Sequence, residues 1–179
     1  MRELARLLGE RNAIDAKISK IIHRPTAAGH AGEWIAAQIF DIELESNAVM
    51  AAYDGRFRGE PLVGRTVNVK WYLKQEGILD MTNAYALDFY FVLTGPAGPA
   101  GTSRGGTRPW LIESVYLFDA HRLLDELRLR NVKIGVATSV RRNHGAAAEI
   151  YPNPSKPTLT VSSEQAALLQ LFAARKSQP

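Results

Sequence analysis

The stretch GRTVNVKWY, from Gly64 to Tyr72, constrains the fold most. Val67, Val69 and Trp71 alternate with Asn68, Lys70 and Tyr72, the two-residue period of a β-strand. Successive strand side chains point to opposite faces. One face is therefore filled with branched and aromatic side chains, while the other carries an amide, an ammonium and a phenol. The apolar face requires a sheet packed against a second layer. The polar face is either wet or the floor of a site.

The flanking sequence suggests what that sheet contains. Residues 51–58 (AAYDGRFR) and 86–94 (ALDFYFVLT) read as two further strands, with GEPLVG joining the first to 65–73 at hairpin length. The three are expected to form a meander. Upstream, GHAGEWIAAQIFDI reads as a helix. Gly29, Gly32 and Ala36 form a small-residue stripe that allows close approach to a sheet, and Glu33 lies toward the same protein-facing side.

Downstream, WLIESVYLFD reads as a strand, and Asp119 is placed to N-cap the helix AHRLLDELRLRN. The near-continuous apolar run VKIGVAT suits a buried strand parallel to the one before that helix, joined by a right-handed crossover. Residues 95–109, rich in glycine and proline, read as a loop without the Gly-Lys-Ser/Thr sequence that cradles nucleotide phosphates. A short SVRRNHGAAAEIY segment, a PNPSKP linker and a helix over about 162–175 follow.

At the other end, residues 3–22 read as a helix with Leu4, Leu7, Ile14, Ile18 and Ile21 on a three-and-four spacing, interrupted by Arg11. The pattern fits a helix packed on its own domain, the more ordinary outcome, or a short dimer seam.

Composition narrows the class. At 179 residues, 46% hydrophobic and 22% charged, the chain matches a globular protein with a sizeable core. No apolar run reaches the roughly 18 residues needed to cross a bilayer, and the charged N-terminus lacks the apolar stretch of a secretory signal, so a cytoplasmic location is expected. With no cysteine there is no disulfide, thiolate metal site or cysteine nucleophile. The net charge of +4 permits an acidic partner such as nucleic acid without requiring one.

Glu33, Asp54 and the Asn68-Val69-Lys70 triplet fall along this order of elements. Taken singly, each has a plain structural role. Asp54-Gly55 is a turn signal, Lys70 suits a half-exposed strand, and Glu33 favours the first turn of its helix through the dipole. Together, in GEWIA, DGRF, VNVKWY and YLFDAH, they resemble the PD-(D/E)xK, or restriction-endonuclease-like, nuclease superfamily over roughly residues 28–138.

The resemblance implies an α/β fold with a restriction-endonuclease-like core, a mixed central sheet flanked by helices, and extra N- and C-terminal helices. It divides the chain into an N-terminal helical arm (1–24), a nuclease-like core (25–152) and a linker with a C-terminal helix (153–179). It further implies a Mg²⁺- or Mn²⁺-dependent enzyme cutting DNA. Asp54 and Glu33 would hold metal, and Lys70 would stabilise charge growing on the phosphate. The family has a carboxylate where this chain has Asn68. That asparagine would be a weak ligand or orient water, or it would mark a binding module that no longer cuts. Cutting both strands of DNA would suit a homodimer.

Other candidates carry less. Arg56, Arg58, Arg65, Arg104 and Arg108 would grip phosphates or simply be solvated. His23, His30, His121 and His144 lack metal-ligand spacing and read as surface or capping residues. Ser103 and Ser139 have no base partner in view, and Asp80 and Asp88 have no assigned place.

Overall fold

The computed structural model describes residues 1–46, 53–82, 84–97, 108–155 and 157–174. In chain order the strands are β1 (Ile42–Leu44), β2 (Gly55–Phe57), β3 (Thr66–Tyr72), β4 (Ile78–Leu79), β5 (Phe89–Thr94), β6 (Ser114–Asp119), β7 (Thr138–Ser139) and β8 (Glu149–Tyr151). The helices are α1 (Arg2–Ile22), α2 (Ala28–Phe40), α3 (Ala120–Arg128), α4 (Arg142–Ala148) and α5 (Ser163–Gln170). The fold is α/β, with a mixed six-stranded sheet in the order β1-β2-β3-β5-β6-β8 and a two-stranded ribbon of β4 and β7.

The three central strands are buried on both faces. Val67, Val69 and Trp71 of β3, Phe89, Phe91 and Leu93 of β5, and Val115 and Leu117 of β6 join Ile35, Ala36 and Ile39 of α2 and Leu169 of α5 in one core. Tyr90 and Val92 of β5 and Tyr116 and Phe118 of β6 face a second core with Leu123 and Leu127 of α3 and Leu79 of β4. Continuous apolar sequence in 89–93 reflects this double burial.

The meander is antiparallel as expected but shifted along the chain. Its strands are β1, β2 and β3. β5 is not its third member: it pairs with β3 in parallel, from Val67↔Phe89 to Tyr72↔Thr94. The cause is the connection after β3, which crosses the second face, burying Leu79, Met81 and Leu87 in that core before the chain re-enters the sheet in the same direction. Of the strand expected at 51–58, residues 51 and 52 lie outside the described set. The missed strand β1 follows directly from α2, which ends at Phe40, before Ile42, because Asp41 adopts a left-handed conformation (φ 51°).

The parallel crossover expected around α3 is absent. β6 and α3 form, and Asp119 caps the helix by accepting from the Arg122 amide at 2.9 Å. VKIGVAT does not then enter the sheet, because β8 occupies the edge of β6 in antiparallel pairing. Gly135 and Ala137 have positive φ and break any extended run, while Val132 and Ile134 pack on the second core from a loop. Only Thr138 and Ser139 are extended, paired with β4. α5 begins with a reciprocal Ser162–Gln165 capping box but is shorter than expected. Among the described residues, no helix is long and apolar enough to cross a membrane.

Candidate active site

The small-residue stripe on α2 brings Glu33 to the sheet. A Cβ on Gly32 would lie 2.8 Å from the Trp71 Cβ, closer than real side chains approach, so only glycine admits this contact with β3. Ala36, one turn on, is fully buried. Gly29 meets nothing within 4 Å, so the stripe acts through Gly32 and Ala36. Glu33, beside Gly32, is only 14% exposed.

β2 ends its pairing with β3 at Gly55↔Val67, leaving the next stretch of the β3 edge without a strand neighbour. Asp54 completes that edge. Its amide donates to the Val67 carbonyl at 2.9 Å, and its Oδ2 accepts from the Val69 amide at 2.7 Å. Asp54-Gly55 is thus a strand entry. Glycine is needed at 55 because a Cβ there would come within 2.5 Å of the Glu43 carbonyl oxygen on β1.

Glu33 arrives from the helix on the first face. By alternation with Val69 and Trp71, Lys70 belongs to the second. Asp54, at the edge between them, is electrostatically coupled to both. Burial, then the neighbouring Asp54 charge, pushes the Glu33 carboxyl above its ordinary 4.5, against Arg24 and His30. Burial also raises Asp54 above its ordinary 3.8, opposed by the Val69 amide, Lys70 and Arg24. Two half-buried carboxyls both held above their usual range form a site where an added cation would be favoured. Lys70 is partly buried and makes no hydrogen bond or ion pair among the described residues.

Asn68 is 7% exposed, and its Oδ1 accepts no hydrogen bond among the described residues. A buried carbonyl oxygen without a donor costs roughly 1–3 kcal/mol. No group of three or more His, Asp or Glu side chains in the described residues is arranged to hold a metal. A hard cation here would draw on the carboxylates of Glu33 and Asp54 and on water, oxygen ligands of the kind Mg²⁺ accepts. The neutral Asn68 oxygen lies by alternation on the same face as Lys70.

Arg24 is a site residue that sequence reasoning missed. It pairs directly with Glu33 from the connector after α1 and bears on Asp54 as well. No periodicity links Arg24, in HRPTAAGH, to a helical glutamate nine positions later. His30 Nδ1 lies 2.8 Å from the Pro25 carbonyl, and its ring sits near enough to affect Glu33. Burial pushes the Tyr72 phenol up to about 12, so it is neutral and not a base at ordinary pH.

The four described arginines among the expected phosphate contacts are already paired. Arg58 holds Asp41, Arg65 holds Asp88 at 3.0 Å, Arg108 lies 3.4 Å from Glu76, and Arg56 lies over the Tyr53 ring near Glu45. Arg104 lies outside the described residues, as does Ser103. Asp88 is structural, accepting from the Thr66 amide and hydroxyl, and Asp80 accepts from the Ala137 amide.

Free cations sit elsewhere. A cavity of about 770 Å³ on the second face begins at Tyr72, two residues beyond Lys70, and has Lys74, Arg141 and Arg142 among its lining residues. None of those three makes an ion pair among the described residues. The cavity does not include Glu33, Asp54 or Lys70, so this hollow and the carboxylate pair are separate features.

The histidine expectation needs one correction. His23 does end α1, in a left-handed conformation, but His144 is buried, between Glu126 and Arg130.

No family model matches the chain, and no curated protein matches it.

Proposed function

We propose that the chain is a Mg²⁺-dependent nuclease-like protein that hydrolyses phosphodiester bonds in DNA, built on a restriction-endonuclease-like core. The observation that supports this reading is the coupling of Asp54, at the β2–β3 edge, to Glu33 on one side and Lys70 on the other, with both carboxyls raised by burial. A bound Mg²⁺ would polarise the scissile phosphate and lower the pKa of an attacking water. Asp54, fixed by the Val69 amide, and Glu33 hold the negative charge that retains the ion. Lys70 stabilises charge developing on the phosphate oxygens. Lys74, Arg141 and Arg142 grip flanking phosphates, which makes binding fall with salt.

Purified protein with supercoiled plasmid and Mg²⁺ or Mn²⁺ tests the reaction. Metal-dependent nicking that Lys70→Ala abolishes supports the enzyme. Arg141→Ala with Arg142→Ala is expected to weaken DNA binding evenly across sequences and to flatten its salt dependence.

Asn68 favours a second reading, a DNA-binding or accessory module that keeps the fold but no longer cuts. Its neutral oxygen supplies no charge to a cation. Under this reading the natural protein shifts DNA without nicking it, and Asn68→Glu gains metal-dependent nicking. If the protein neither binds nor nicks DNA, both readings fail.

A further inference from the structure

α1 is a 21-residue helix whose apolar side is left open. Leu4, Leu7, Ile14 and Ile21 are 54%, 47%, 56% and 58% exposed. Only Ile22 is buried, and Ile18 is partly covered by the first core. The helix is about 31 Å long and, among the described residues, is anchored toward its C-terminal end, where Thr26 Oγ1 donates to the Asp15 carbonyl at 2.6 Å and lies 2.9 Å from Ser19 Oγ. The more ordinary of the two expectations, packing along its own domain, does not hold for the first four turns. Their stripe lacks a partner among the described residues.

We infer that the partner is a second copy of α1, packed antiparallel. The charges along the seam select this arrangement. Antiparallel pairing stacks Leu4 on the partner's Ile21, Leu7 on the partner's Ile18, and Arg11 beside the partner's Ile14, each layer occurring twice about the two-fold axis. The same register sets Glu10 against the partner's Lys17. Lys17 makes no hydrogen bond or ion pair among the described residues and is free to take that role. The Arg11 guanidinium is drawn aside by Asp15 at 3.5 Å, so its aliphatic stem covers the seam.

A parallel pair fails on the same charges. It places Arg11 against the partner's Arg11 on the axis, and Glu10 against the partner's Asp15. Antiparallel packing also sends the two α/β cores to opposite ends of the helix pair, where they do not compete for space. A seam of three heptads buries an area at or below the usual range for stable complexes, so the dimer is weak and its dissociation constant falls in the micromolar range.

Light scattering and sedimentation of the full chain across about 1–100 µM should show concentration-dependent dimerisation. Glu10→Lys is expected to weaken it about three- to tenfold, and Lys17→Glu added to that variant to restore it. Arg11→Leu is expected to tighten it at least about tenfold. These positions are exposed, so circular dichroism should report an unchanged fold. The chain has no cysteine of its own. Leu4→Cys and Ile21→Cys proteins should therefore form a disulfide-linked dimer when mixed and oxidised, and neither should do so alone. A monomer at every concentration overturns the inference. So does tightening by Glu10→Lys, or self-crosslinking of Leu4→Cys alone, since either indicates the parallel arrangement.

Discussion

Two charged clusters in this molecule behave in opposite ways. At the β2–β3 edge, Glu33 and Asp54 are both held above their ordinary range by burial, despite Arg24 and Lys70 nearby. Between α3 and α4, Glu126 is held below its ordinary range by Arg122 and His144. There the partners are complete. Glu126 accepts from Arg122 Nε at 2.8 Å and meets His144 Nδ1 at 2.9 Å, while Arg130 Nη1 lies 2.9 Å from His144 Nε2. An arginine can only donate, so Nε2 accepts and the imidazole carries its proton on Nδ1, facing Glu126. One cluster satisfies its members and ties two helices together. The other leaves anionic groups short of cations and an amide oxygen short of a donor, an imbalance that stability alone does not favour.

The contrast is sharpest in activity. Lys70→Ala should reduce metal-dependent nicking by about a hundredfold or more, the usual loss when a group stabilising the transition state is removed. Glu126→Gln should leave nicking unchanged. Plasmid assays of the two side by side would collapse the distinction if both or neither lost activity.

Next comes packing. Gly32→Ala should cost about 1–3 kcal/mol by denaturant unfolding, because the new methyl meets the Trp71 Cβ. It should also lower activity by displacing Glu33 without changing any charge. Unaltered stability would mean that α2 is free to slide on β3, and that Glu33 is not positioned by this contact.

The charge substitutions should have smaller effects, of opposite sign. Asp54→Asn keeps an acceptor for the Val69 amide and removes a strained anion, so it is expected to stabilise the protein by about 1 kcal/mol at pH 7. Glu126→Gln should destabilise by less than about 1 kcal/mol, since Glu126 is 37% exposed and solvent screens its pairs. Thermal melts of the two variants should move apart.

The smallest effect is in the pH profile. Carboxyls raised in the folded state bind protons more tightly there than in the unfolded chain. The Glu33–Asp54 contribution to stability is therefore present below the ordinary 4.5 and 3.8 and is lost as pH rises above them. Glu126 is lowered, so its contribution is present above 4.5 and is lost as pH falls below it. Melting curves of Asp54→Asn and Glu126→Gln against wild type should reveal slopes of opposite sign. Parallel slopes would erase the difference between the clusters.

Legibility followed the range of the interactions. The alternation in 66–72, the cap at Asp119 and the small-residue face of α2 are local signals, and each led to its element because backbone geometry repeats over a few residues. The direction of β5 and the fate of VKIGVAT were not local. A run of apolar residues reads the same whether it pairs in parallel, antiparallel or not at all. Competition for the β6 edge, won by β8, decided the second case.

The site divides the same way. Glu33, Asp54, Asn68 and Lys70 could be named from the chain, while Arg24, the completeness of the arginine pairs and the unpaired cations near the cavity could not. Ion pairing depends on which side chains fold close together, and no spacing rule records that.

By itself the sequence determined an α/β chain without cysteine chemistry, in which an amide and an ammonium share one side of a strand. Only the tertiary structure decided that a glycine-thin contact between α2 and β3 places a glutamate where it feels the charge of the aspartate completing the β3 edge. The reason is physical: alternation is dictated by neighbouring peptide units, whereas the electrostatic cost of two nearby carboxyls exists only after distant segments have excluded the water between them.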